Sequence, residues 1–187
     1  MAHEARHLLG RMLSHTVATR PMAADVAKFP LFLGIGEKMA LLEAVQKACK
    51  GKGNRSAAMR SKVNLLQLQV RGGGEAGGDW RAGCADLWAA FRAGGVAGGP
   101  GVTGGDRRPY GPRVCDLLRM VRNLREHLDE LPVPVRTLLL QHAPKALAAG
   151  AAPGAERLQR RMVAALGGYF MEVSFPNLAV ELWGVGR

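Results

Sequence analysis

The sequence predicts an all-α fold. Apolar residues recur three and four positions apart in one stretch after another, which gathers them on one face of a helix. No alternating apolar and polar run of useful length marks a strand. Glycine and proline clusters separate the stretches at spacings that suit short and medium helices. A hydrophobic content of 48% supplies a core, and aromatics at 5% leave that core to Leu, Val, Ala and Met.

Residues 4–13 carry Leu8, Leu9, Met12 and Leu13 at helical spacing, and Arg20-Pro21 leads into a second short helix from Met22 to Phe29-Pro30. From Glu37 to Lys50, the residues Met39, Leu41, Leu42, Val45 and Cys49 define an amphipathic helix closed by Gly51-Lys52-Gly53-Asn54. A further helix is expected over residues 55–70, broken by Gly72-Gly73-Gly74 and Gly77-Gly78. Asp79-Trp80-Arg81 opens a shorter segment containing Leu87, Trp88 and Phe91. Residues 93–106, mostly Gly, Ala and Pro, read as a flexible surface loop. No Gly-Lys-Ser/Thr ends it, so it lacks what a phosphate-cradling loop needs, and Gly34-Ile35-Gly36 is an equally weak match.

Residues 114–130 form the most regular stretch. Val114, Leu117, Leu118, Val121, Leu124 and Leu128 fall within one arc, Arg119, Asn123, Glu126 and His127 lie opposite, and Arg122 sits at the edge of the polar side. Leu131-Pro132-Val133-Pro134 ends this helix. A helix is expected over residues 135–141, then an Ala/Gly/Pro-rich insertion at 143–155, then a helix over 156–166 with Arg157, Arg160 and Arg161 outward. Tyr169-Phe170, Phe175-Pro176, Leu178, Val180, Leu182 and Trp183 would dock on the core as a final helix beginning near Pro176.

The 26 Lys and Arg against 15 Asp and Glu give a net charge of +11, which favours an anionic partner through counterion release. RNA, DNA and acidic membranes all satisfy that condition. Only two Tyr, three Trp and five Phe are spread along the chain, so no aromatic platform for stacking single-stranded bases stands out. Cys49, Cys84 and Cys115 fit neither a disulfide framework nor a paired metal-ligand motif and read as buried small hydrophobes in a reducing compartment. The start lacks the apolar core of a signal peptide, and no run approaches the ~18 apolar residues of a membrane span, so a soluble, cytoplasmic chain is expected.

RNA carries its own nucleophile, the 2′-hydroxyl. Cleavage then needs a base for that proton, an acid for the leaving 5′-oxygen and donors for the phosphate, with no metal or other cofactor required. His127 suits proton transfer because an imidazole titrates at about 6.5. Arg122 can pair two phosphate oxygens, and Asn123 adds a neutral donor. Tyr110 can position or deprotonate the 2′-hydroxyl if positive charge lies nearby, which Arg107, Arg108 and Arg113 offer. By spacing alone, a single His on a basic helix is more often a solvated surface residue.

The run from Tyr110-Gly111-Pro112-Arg113 through Asp116-Leu117-Leu118-Arg119 and Arg122-Asn123 to Glu126-His127 resembles the core motif of the KEN nuclease domain. That domain occurs in the inositol-requiring kinase/endoribonuclease of the unfolded-protein response and in ribonuclease L. The resemblance takes in Asp79-Trp80-Arg81, Glu130-Leu131-Pro132, Val135-Arg136, Tyr169-Phe170 and Phe175-Pro176-Asn177-Leu178, in family order across residues 31–187. It implies a KEN-type helical fold and an endoribonuclease that leaves a 2′,3′-cyclic phosphate. It implies that Tyr110 and His127 are the acid–base pair and that Arg122 and Asn123 hold the scissile phosphate. Arg107, Arg108, Arg113, Arg119 and Arg125 are further candidates for RNA contact. The partners expected are RNA, not DNA, and a second copy or a full-length relative, because KEN domains act in pairs.

Residues 1–30 resemble the last two helices of a protein-kinase C-lobe through Leu8-Leu9-Gly10-Arg11-Met12-Leu13, Thr19-Arg20-Pro21, Ala23-Ala24-Asp25-Val26 and Phe29-Pro30-Leu31-Phe32. The Gly-rich loop, His-Arg-Asp, Asp-Phe-Gly and phosphate-binding Lys of a kinase are not assignable, so the segment reads as a kinase remnant without kinase activity. A fragment or a stand-alone derivative is expected, with Arg20 unpaired and an exposed apolar patch on residues 4–32. A longer membrane-anchored parent would move the site to the cytosolic face of the endoplasmic reticulum. The segment Ala82-Gly83-Cys84-Ala85 offers few polar groups for handling RNA. The alternative is a non-catalytic RNA-binding or dimerisation module derived from a kinase/endoribonuclease.

Overall fold

A computed structural model describes residues 2–69, 79–95, 110–143 and 155–185, with side chains from residue 4 in the first stretch and from residue 158 in the last. The described residues are mostly helical and contain no strand. Among the described residues, nine α-helices follow in order: α1 Ala2–Met12, α2 Ala23–Ala27, α3 Ile35–Lys50, α4 Asn54–Asn64, α5 Ala85–Ala93, α6 Val114–Glu126, α7 Val133–Leu140, α8 Ala155–Gly168 and α9 Leu178–Val185. The loop and insertion expected at 93–106 and 143–155 fall almost wholly outside the described residues.

Helix α6 lies in the middle of the packing, against α3, α4 and α8, while α3 also meets α9, and α7 bridges α5 and α8. The apolar arc behaves as its spacing requires: Val114, Leu117, Leu118, Val121 and Leu124 are buried, joined by Met120. The helix stops at Glu126, four residues before the expected end at 130. His127 leaves the helical basin at φ −122° and ψ 37°, and the turn that follows lets both Leu128 and Leu131 enter the core. Pro132 also disfavours a helical conformation at Leu131.

Three other boundaries differ from the sequence reading. The second helix ends at Ala27, because Pro30 holds Phe29 extended at φ −71° and ψ 142° and starts a 3-10 turn over Pro30–Phe32. Helix α4 ends at Asn64 rather than near residue 70. The Asn177 side chain captures the chain beyond it, donating to the Gln67 carbonyl at 2.7 Å and accepting from the Gln69 N–H at 2.9 Å, with Leu68 buried between. Helix α8 does not finish near Leu166 but runs into a π-helical turn over Tyr169–Ser174 that buries Tyr169, Phe170, Met171 and Ser174. α9 begins two residues after Pro176.

Two glycines permit the close approach around α8. A Cβ on Gly168 would lie 2.5 Å from the His142 carbonyl oxygen, and one on Gly167 would lie 2.7 Å from Ile35. Of the three arginines expected to point outward from α8, Arg160 is exposed, Arg161 is half-buried, and the Arg157 side chain lies outside the described residues.

The N-terminal segment packs on the rest of the chain. Leu8 and Phe29 form a small apolar cluster with Val180 and Trp183 of α9, with the Phe29 and Trp183 rings edge to face at 4.9 Å. Glu4 and Lys38 form a buried ion pair of 2.6 Å between α1 and α3. The other side of this segment is open: Leu9, Met12, Leu13, Val17, Met22 and Phe32 are exposed. Arg20 donates to the Ser14 carbonyl at 3.0 Å.

Cys49 and Cys84 are buried and Cys115 is half-buried, all three as free thiols. Burial pushes the Cys84 thiol up to about 12. The Cys49 and Cys115 sulfurs touch at 4.0 Å across the α3–α6 contact. Among the described residues, no single helix is long and apolar enough to cross a membrane.

Candidate active site

The site is built where the chain enters α6. Arg113 adopts an extended conformation as N-cap, and the Cys115 N–H is met by the Asn64 side-chain oxygen at 3.1 Å, which fixes the first turn against α4. Just upstream, the Trp80 indole donates to the Gly111 carbonyl at 2.9 Å. Trp80 is itself buried in a 3-10 turn whose N-cap, Asp79, accepts from the Arg81 N–H at 3.0 Å and pairs with its guanidinium at 2.6 Å. That ion pair holds the Asp79 carboxyl below the usual carboxylate range. Tyr110 is thereby held at the head of α6, with 5% of its surface exposed.

Asn123, in the third turn of α6, joins Tyr110 and Arg122. Its amide nitrogen donates to the Tyr110 hydroxyl at 2.8 Å, and its amide oxygen accepts from Arg122 Nη2 at 2.6 Å and Nε at 3.1 Å. With both ends engaged, the amide has one orientation that satisfies all three contacts. Arg122 also approaches Glu126 at 3.4 Å, one turn further on. The Arg119 guanidinium lies 4.7 Å from the centre of the Tyr110 ring and is held there by Asp116 at 3.1 Å. Tyr110, Arg122 and Asn123 therefore form one connected unit with Arg119 beneath it.

His127 stands at the C-cap, where its N–H reaches the Asn123 carbonyl at 3.1 Å. Its ring is exposed and Nδ1 meets Glu130 Oε1 at 2.9 Å. The hydrogen bond to Glu130 raises the imidazole above its ordinary value, helped by the charges of Glu130, Glu126 and Asp129. An imidazolium that holds its proton above the ordinary range is suited to give it to a leaving group.

The remaining candidates divide. Arg113 is exposed at the N-cap of α6, whereas Arg119 turns inward onto the Tyr110 ring. Arg125 pairs with Glu43 of α3. Arg107 and Arg108 lie outside the described residues. Trp80, Asp116 and Glu130 had no role assigned from the sequence. Glu130 had a local signal in its spacing of three residues from His127, whereas the bond from Trp80 to Gly111 crosses 31 residues and had none.

Among the described residues, open clefts lie between α3 and α6, between α8 and the start of α3, and between α6, α7 and α8, each with Arg125 on its wall. Arg122 lines the first. No group of three or more His, Cys, Asp or Glu side chains among the described residues is arranged to hold a metal ion.

The chain matches no family model, no curated protein and no solved structure.

Proposed function

We propose that this chain is a KEN-type endoribonuclease that cleaves RNA by attack of the 2′-hydroxyl and leaves a 2′,3′-cyclic phosphate. The observation that carries this reading is the Asn123 side chain, which ties the Tyr110 hydroxyl to Arg122, while the backbone N–H of His127 meets the Asn123 backbone carbonyl one helical turn back. Residue types suited to transesterification thus lie on α6, at its C-cap and on the segment entering it, with Tyr110, Asn123 and Arg122 in direct contact.

In the proposed reaction Tyr110, acting as its phenolate, takes the 2′-hydroxyl proton and becomes the neutral phenol, the 2′-oxygen forms a bond to phosphorus, and the bond to the 5′-oxygen breaks as the His127 imidazolium delivers a proton to it. The raised imidazole supports the acid assignment for His127. Arg119, 4.7 Å over the Tyr110 ring, supplies the positive charge that a tyrosine base needs. Arg122 carries five N–H donors, and Asn123 engages those on Nε and Nη2, so the guanidinium keeps donors to offer non-bridging phosphate oxygens.

Incubation of the purified protein with a stem-loop RNA in EDTA is expected to give cleavage that rises with protein concentration, as pairing of copies requires, and that is lost in His127→Ala. Undiminished cleavage by that variant defeats the assignment. A second reading, a non-catalytic RNA-binding or dimerisation module, is favoured by the exposed Leu9, Met12, Leu13 and Phe32 of the N-terminal segment. Steeply salt-dependent RNA binding without cleavage at any protein concentration would select it.

A further inference from the structure

We propose that the cleft between α3 and α6 carries the RNA strand away from the cleavage position, with Lys47 and Lys50 taking phosphates next to the one held by Arg122. This rests on the endoribonuclease reading for its direction, but the surface itself is defined by charge and geometry. Lys47 and Lys50 are three residues apart in the last turn of α3 and line the same cleft as Arg122 and Arg125, themselves three apart on α6. The proposed phosphate clamp and the two lysines thus share one wall-to-wall surface.

The two carboxylates in this cleft are already engaged by α6. Glu43 pairs with Arg125, and Glu126 lies 3.4 Å from Arg122. Lys47 and Lys50 are exposed and form no ion pair among the described residues, so they set the sign of the cleft. Beyond Arg125, one neighbouring cleft adds Arg160, whereas the other balances Arg136 with Glu126 and Asp129, so the basic lining runs from the α3–α6 cleft toward Arg160. Among the described residues, none that lines the α3–α6 cleft is aromatic. Such a surface can hold phosphates through their charge and cannot stack bases, so it will follow a single strand with little regard to sequence and with strong dependence on salt.

The test uses the full chain carrying His127→Ala, so that RNA is bound without being cut, and measures the affinity of a long single-stranded RNA over a range of salt. Lys47→Glu combined with Lys50→Glu is compared with Lys52→Glu combined with Arg55→Glu, which makes the same change of charge at exposed positions outside the cleft. The cleft pair is expected to weaken binding roughly tenfold or more, and Lys47→Gln with Lys50→Gln to lower the salt slope by about 1.4, two contacts at ~0.7 each for a single strand. The control pair should change affinity less than about twofold. In the chain with His127 intact, cleavage of a dinucleotide, which carries only the scissile phosphate, should be unchanged by the cleft pair. Equal weakening by both charge-reversal pairs overturns the proposal, since net charge alone then explains binding. An unchanged RNA affinity accompanied by a changed sedimentation coefficient also overturns it and assigns the cleft to contact between copies. If the unmodified chain cleaves nothing yet the two pairs still differ in binding, the cleft stands and the endoribonuclease reading fails.

Discussion

The Asn123 amide nitrogen donates to the Tyr110 hydroxyl across 2.8 Å, joining the residue that enters α6 to one three turns along it. The opposite end of the same amide receives Arg122, so one small side chain orients two larger ones. Asn123→Ala removes both contacts at once. It is expected to lower kcat for RNA cleavage about 100-fold, the scale of losing one preorganised donor at a reacting centre, with a smaller effect on KM. Single-turnover kinetics check this, and a change confined to KM would mean that Asn123 acts in binding alone.

His127 and Glu130 predict a pH effect with a definite sign. Glu130 raises the imidazole, and a general acid is lost as pH rises through its own titration. Glu130→Gln removes the main cause of the shift, so the alkaline limb of kcat/KM should move to lower pH. The His127 ring resonance, followed by NMR, should titrate at lower pH in the variant by the same displacement. The ring is exposed, so no matching change in fold stability is expected.

Trp80 acts on the site through the backbone. Its indole N–H holds the Gly111 carbonyl at 2.9 Å and leaves Tyr110 little freedom. Trp80→Phe keeps most of the apolar ring and removes that donor. A stability loss of about 1–2 kcal/mol is expected from the bond and the smaller volume, readable by urea unfolding. Cleavage should fall further than stability explains, with affinity for RNA little altered.

The helices themselves were legible because the apolar spacing of α3 and α6 is regular and each face is buried as that spacing requires. What the sequence could not reveal were the ends set by partners far away in the chain. Asn177 stops α4 by capturing the backbone at Gln67 and Gln69, across more than a hundred residues. The α6 terminus had a signal in Pro132, but the burial of Leu128 and Leu131 on either side of a turn depends on the core around them. For the candidate site, the sequence points to Tyr110, Arg122, Asn123 and His127. The connection of Tyr110 and Arg122 through the Asn123 amide is not legible there, because it depends on how the segment entering α6 is held against the helix.

The ion pair between Glu4 and Lys38 predicts how firmly the N-terminal segment is attached. Both side chains are almost fully buried, and Glu4 Oε2 has no hydrogen-bond partner among the described residues. Lys38→Met leaves a buried carboxylate alone and should destabilise the protein by about 3–5 kcal/mol, whereas adding Glu4→Leu should recover most of the loss. Chemical denaturation of the single and double variants gives the coupling directly. Additive effects would show that α1 is not docked on α3 in solution.

The ends of the cleaved RNA test the central claim most directly. Mass spectrometry of products made in EDTA should find a 2′,3′-cyclic phosphate on the upstream fragment and a 5′-hydroxyl on the downstream one, and a 2′-deoxy nucleotide at the cleaved position should abolish the reaction. A 5′-phosphate on the downstream fragment, or cleavage that survives the 2′-deoxy substitution, would contradict attack by the 2′-hydroxyl and with it the roles assigned to Tyr110 and His127.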